Sequence, residues 1–233
     1  VSATGAVTHI EGTAAPDEEE LGFGKILMVA TTSKKWISLS TEVMALNGEE
    51  FLRYIVAEIT QRINEHDVER ILTAIINAPA TSTTTAVGLP TIAAAPAVNT
   101  VVLALAQLSS KATNPVVILN RQTWADFVTA ALSANYSLDP FRNLDVVFED
   151  ALPAYATADE GATYMIVGSL EKGMHGNYPD GANIDTMVNP YVKAKEDLIE
   201  VIGKRYAAFA VVQPKAFTRV TKPVTPEPGP EVA

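Results

Sequence analysis

Side chains able to carry chemistry are sparse in this chain. Its three histidines, His9, His66 and His175, share no helical metal-ligand spacing, and no HExxH pattern occurs. The stretch GFGK at 22–25 has two glycines of a phosphate loop without the rest of the Walker pattern. Those glycines interrupt a strand pattern where a phosphate loop would open a helix. Ser169, in GSLE, lacks the second glycine of a nucleophile elbow. Asp180, Asn183 and Asp185 offer oxygens suited to calcium, but their spacing is not that of an EF-hand loop, and turn chemistry alone accounts for them. With no cysteine there is no disulfide, thiolate metal site or cysteine nucleophile. The sequence therefore leads to no catalytic residue, no cofactor, no metal and no enzymatic activity.

The bulk properties narrow the classes further. In 233 residues, 48% hydrophobic content against 19% charged is ordinary for a chain that buries a real core. A net charge of -10 argues against a general nucleic-acid binder, which needs a basic face, and against an anionic membrane surface. No apolar run is long enough to span a bilayer, and the N-terminus lacks the pattern of a signal peptide. The absent initiator Met suggests a trimmed chain or a fragment. The acidic run Asp17–Glu20 reads as a solvated face that guards a strand against promiscuous pairing.

Positioning elements come next. Residues 21–30 alternate as a strand, Thr31–Lys34 reads as a polar turn, and Lys35–Ser40 alternates again, so a hairpin is expected. An isolated hairpin is marginal in water and needs a surface to lean on. Phe51, Leu52, Ile55, Val56, Ile59 and Ile63 make the stripe of a long helix from about Gly48 to Ile76. Its start is Asn47 with Glu50, and a break is expected at NEHD, residues 64–67. Residues 78–96, rich in Thr, Ala and Pro, read as a surface excursion. A helix follows over 99–109 with Val102, Leu105 and Leu108 on one face. After it come a buried strand VVIL at 116–119 and a helix capped by Asn120, with Trp124 and Phe127 in its core stripe. Later strands are expected at 145–148, 164–167 and 216–220, with a pair at 197–206 and 208–212. GMHGNYP and DGANID read as turns, and the Pro-rich tail from Thr221 as extended or disordered. The fold class is mixed α+β, two lobes plus an arm.

In order, these pieces resemble the major capsid protein of tailed bacteriophages, the Hong Kong 97-type shell fold. WISLSTEVMALNGEEFLRYIVAEITQRINEHDVERIL is similar to that family's strand and spine helix. NPVVILNRQTWADFVTAAL is similar to a segment of its axial lobe, and NLDVVFEDALP to its next strand. YMIVGSLEKGM and KAKEDLIEVIGKRYAAFAVVQPKAFTRV resemble its closing strands. The resemblance spans about Val7 to Val220.

It implies an α+β capsid fold with an extended N-terminal β-hairpin arm at 1–40. A peripheral domain would take 41–94 and 172–208, an axial domain 95–171 and 209–222, and a disordered tail 223–233. The implied function is structural. Copies would form pentamers and hexamers of an icosahedral shell enclosing double-stranded DNA without sequence-specific binding. Implied partners are a scaffolding segment, a maturation protease and a portal, with assembly in the bacterial host cytoplasm and residence in the virion. Phe23, Leu27, Lys34, Lys35 and Trp36 are the expected inter-subunit contacts. Some members crosslink a Lys to an Asn, but no spacing among Lys25, Lys34, Lys35, Asn177, Asn183 and Asn189 identifies a pair. The competing readings are an encapsulin-type nanocompartment and a small α+β hydrolase or ligand-binding protein.

Overall fold

A computed structural model of the protein describes residues 25–83, 86–134 and 139–225. In chain order its first elements are β1 (Thr31–Ser40), α1 (Thr41–Ile76), β2 (Thr91–Ala93), α2 (Thr100–Ala106), β3 (Val116–Leu119) and α3 (Arg121–Ser133). Then come β4 (Asp145–Phe148), β5 (Thr163–Gly168), the single turn α4 (Leu170–Gly173), β6 (Met174–Asn177), β7 (Asp185–Lys193), β8 (Leu198–Val211) and β9 (Phe217–Thr221). The mixed α+β class is as expected.

Two sheets share one helix. In the first, the 14-residue β8 is the common partner of β1, β6 and β7, all antiparallel to it. The second is five-stranded, in the order β2-β9-β5-β3-β4, with β5 buried along its whole length. Helix α1 is the beam between them. Its first half puts Ile55, Ile59 and Ile63 against Leu39 of β1 and Val201 of β8. Its last turns put Leu72 and Ile75 against Ile118, Ile166 and Phe217 of the second sheet. On the other face of that sheet, α2 and α3 bury Val101, Ala104, Phe127 and Ala131.

Several local expectations change. Thr31–Lys34 is not a turn: β1 runs unbroken and pairs residue for residue with β8, Thr31 opposite Ala207 and Ser40 opposite Leu198. Residues 25–30 form no strand, so the described residues contain no hairpin here, and residues 1–24 lie outside them. The hydroxyl of Ser33 in the supposed turn is buried against α1, which supplies the partner a solvated turn residue would find in water. Helix α1 starts seven residues earlier than expected, capped by the Ser40 hydroxyl, which accepts from the Glu42 N–H. It kinks at Gly48, whose φ of 64° suits glycine. No break occurs at 64–67, because Asp67 continues the buried stripe and is paired there.

Residues 78–96 are not wholly surface, since Leu89 is fully buried and β2 pairs parallel with β9. In α2 the buried face is Thr100, Val101 and Ala104, and Val102 points outward. Trp124 is half exposed at the sheet edge, edge-on to Phe148, because Thr123, Phe127 and Ala131 take the core stripe of α3. Residues 174–177 form strand β6, where a turn was expected, and 198–211 form one strand instead of a pair. Strands β3 and β5 and the Asn120 cap of α3 stand where the sequence placed them.

Candidate assembly surface

Residues singled out for chemistry are scattered. His66 is exposed on α1 with Glu69 3.6 Å away, and His175 is exposed on β6. Ser169 is buried, and its hydroxyl accepts from the Lys172 N–H at the start of α4. Asp185 pairs with Lys204 at 3.2 Å. Among the described residues no three His, Cys, Asp or Glu side chains gather as a metal site.

What the fold does assemble is a face. Odd residues of β1 point to α1: Leu39 joins the core, and Ser33 bonds Asp67. Even residues therefore point away from the helix, because strand side chains alternate. The registers align Trp36 with Ile202 and Ile202 with Met187, so these three form one row across β1, β8 and β7. Trp36 is 58% exposed and Met187 49% exposed. The row on one side is Lys34, Lys204 and Asp185, and that on the other is Ser38, Glu200 and Asn189. Lys34 and Lys204 are like charges directly opposite each other. The Asp185 carboxylate offsets this by bonding Lys204, which raises that ammonium's pKa above its ordinary value. Lys34 lies 5.7 Å from the Trp36 ring centre, within cation–π range. Lys193 closes the far side, with Ser38 at 3.0 Å and Glu200 at 3.3 Å. An apolar centre with a charged rim is the anatomy of a protein–protein contact.

The residues expected at contacts separate. Lys34 and Trp36 share this face, and Lys35 has the opposite parity and is exposed at the sheet edge. Leu27, 76% exposed, lines a pocket of about 240 Å³ with Met28, Val29, Arg70, Ala208 and Phe209. Phe23 lies outside the described residues. Ile202 and Met187 escape a reading by strand segments, since only register places them in one row with Trp36.

Behind this face the sheet is fastened to α1 by a buried polar group that the helical stripe concealed. Asp67 follows Ile55, Ile59 and Ile63 at four-residue spacing, and its carboxylate accepts from Ser33 at 3.0 Å, Arg70 at 3.2 Å and Arg205. Arg70 also donates to Thr31 and to the Ala207 carbonyl. Arg205 reaches Asn64 at 2.9 Å and stacks 5.8 Å from the Tyr178 ring centre. A rigid, helix-backed sheet with an exposed apolar row is the construction of a subunit that works through its surfaces.

The comparisons agree with that class. The model of the phage capsid family matches residues 1–222, and the chain belongs to this family. A search of curated proteins gives no match. The fold is similar to the capsid of an empty GTA particle, with a TM-score of 0.67 at 11% identity over 84% of this chain and 73% of that one. It is also similar to the Mycobacterium phage Bobi structure (TM-score 0.58, 13% identity, 85% and 73% covered). The holo-SrpI encapsulin complex from Synechococcus elongatus PCC 7942 gives a TM-score of 0.60 at 13% identity, over 85% and 76% of the two chains. The chain is a major capsid subunit, a structural protein of the Hong Kong 97-like fold that self-assembles into a shell.

Proposed function

We propose that copies of this subunit close an icosahedral shell of pentamers and hexamers around double-stranded DNA. The observation that carries this is the exposed Trp36–Ile202–Met187 row on a sheet braced by α1. Trp36 and Lys34 with their row neighbours are the centre of one contact between copies, Leu27 belongs to a second, and Lys35 lies at the rim of the first. The strand 31–40 is committed to its own β8, so in this reading the arm expected over 1–40 is confined to the residues before Thr31. The net charge of -10 suits a container that does not grip packed DNA.

In this reading the first sheet with α1 is the peripheral lobe and the second sheet is the axial lobe. Strand pairing favours moving β2 to the axial side and keeping β8 peripheral as far as Val211. The subunit has no catalytic role, it assembles in the host cytoplasm for the virion, and a scaffolding segment, maturation protease and portal are its partners.

Negative-stain microscopy of the full-length protein tests the proposal. Rings or closed shells are expected, and a discrete monomer under all assembly conditions would overturn it. Similarity to the encapsulin keeps a cargo compartment as the second reading. Copurifying DNA supports the first, and a copurifying enzyme supports the second.

A further inference from the structure

Helix α1 ends without a cation of its own, because no basic residue occupies its last turn. The last carbonyls of a helix have no intrahelical donor and carry the negative end of its dipole. Here the donor arrives from 143 residues away. Arg219 of β9, only 8% exposed, places Nη1 2.5 Å from the carbonyl oxygen of Ile76, the last helical residue, and 2.7 Å from that of Ala78. Its Nη2 donates to the Leu89 carbonyl at 3.1 Å, and its backbone N–H to the Pro90 carbonyl at 3.0 Å. No carboxylate faces the guanidinium among the described residues, and its Nε has no acceptor there. A buried cation without a counter-ion is costly, and here the carbonyls it binds, that of Ile76 at the negative end of the α1 dipole among them, offset the cost. The joint it occupies is where the beam helix, braced on the first sheet, meets the second sheet.

We propose that Arg219 is a positioning residue that fixes the angle between the α1 beam and the second sheet, and thereby the curvature at which copies assemble. The planar guanidinium suits this task because its forked donors hold three carbonyls in a fixed relation, which a lysine ammonium does not. The curvature part rests on the shell-forming reading above.

The test compares Arg219→Met and Arg219→Lys with Ile118→Ala, which cuts the same core on β3, with β5 between it and Arg219. Amide exchange at Asn77 and Ala78 in Arg219→Met is expected to speed up about tenfold relative to wild type, with the half of α1 on the first sheet unchanged. Particles of both Arg219 variants, imaged by negative stain, are expected to lose the single diameter class of wild type. Ile118→Ala, although destabilised, is expected to keep it. Uniform shells from Arg219→Met, or equal heterogeneity from Ile118→Ala, would overturn the proposal. If wild type itself forms no shells, the capsid reading fails, and unchanged exchange in Arg219→Met would separately dismiss the clamp.

Discussion

Gly203 of β8 faces Ile59 of α1 so closely that a β-carbon on the glycine would overlap the Ile59 Cγ2 methyl and sit 3.2 Å from Ile63 Cδ1. Both isoleucines are buried, so neither has room to withdraw. Gly203→Ala is therefore expected to destabilise the subunit by about 1–3 kcal/mol, the range for overpacking a closed core. Urea unfolding would show a lower midpoint with an unchanged slope.

The polar tie behind the sheet should cost more to break. Asp67→Asn removes the charge that Arg205 and Arg70 share, leaving a buried guanidinium uncompensated, at an expected cost of about 3–5 kcal/mol. Ser33→Ala removes one neutral donor to the same carboxylate and is expected to cost about 1 kcal/mol. The two losses should not add, since both residues serve one network. A double-mutant cycle by chemical denaturation measures the coupling, and strict additivity would contradict the shared-network account.

This tie also explains which parts of the fold were legible in the sequence. The stripe of α1, the strand VVIL and the Asn120 cap are local patterns, complete within a few residues, and they read directly. Ser33 looked like a turn residue because its partner lies 34 positions away, and Asp67 looked like a helix break because two of its partners, Ser33 and Arg205, lie on distant strands. The long β8 read as a pair divided at Ala207, although Ala207 is buried and pairs with Thr31 of β1. The contact face suffered most. Trp36 stood out as a lone aromatic, but the row that gives it neighbours exists only in the register of three strands.

Tyr164 gives the protein an alkaline limit. It is fully buried, and its hydroxyl donates to the Ala94 carbonyl at 2.7 Å. Burial, and then the nearby Tyr155, raise its pKa well above the ordinary phenol value. Its contribution to stability is thus whole below the unfolded pKa of about 10, and above it is lost by about 1.4 kcal/mol per pH unit as the unfolded chain ionises and the folded one does not. Tyr164→Phe is expected to be weaker at pH 7 by about 1 kcal/mol, the lost hydrogen bond, yet to decline less steeply above pH 10. Thermal unfolding of both proteins across that range decides this, and parallel pH profiles would assign the alkaline loss to other groups.

Trp36 separates folding from assembly most cleanly. Its ring stands on the face of the first sheet turned away from α1, with Ile202 beside it, Met187 one strand further along the row and Lys34 above it, and it is more than half exposed. Removing an exposed aromatic away from the core costs the isolated subunit little, within about 0.5 kcal/mol. If the row is the centre of a contact, the same truncation costs each contact about 2 kcal/mol or more, or about 30-fold in its association constant. Trp36→Ala is therefore expected to fold with a near-normal melting temperature while its critical concentration for shell formation rises steeply, because every subunit uses the contact. Met187→Ala should produce a smaller rise in the same direction, and Trp36→Phe should recover much of the loss, since it restores an aromatic to the row. Sedimentation of assembled against free subunit over a concentration series reads all three variants. Assembly of Trp36→Ala at the wild-type concentration would remove this face from the interface, and a large drop in its melting temperature would return Trp36 to the fold.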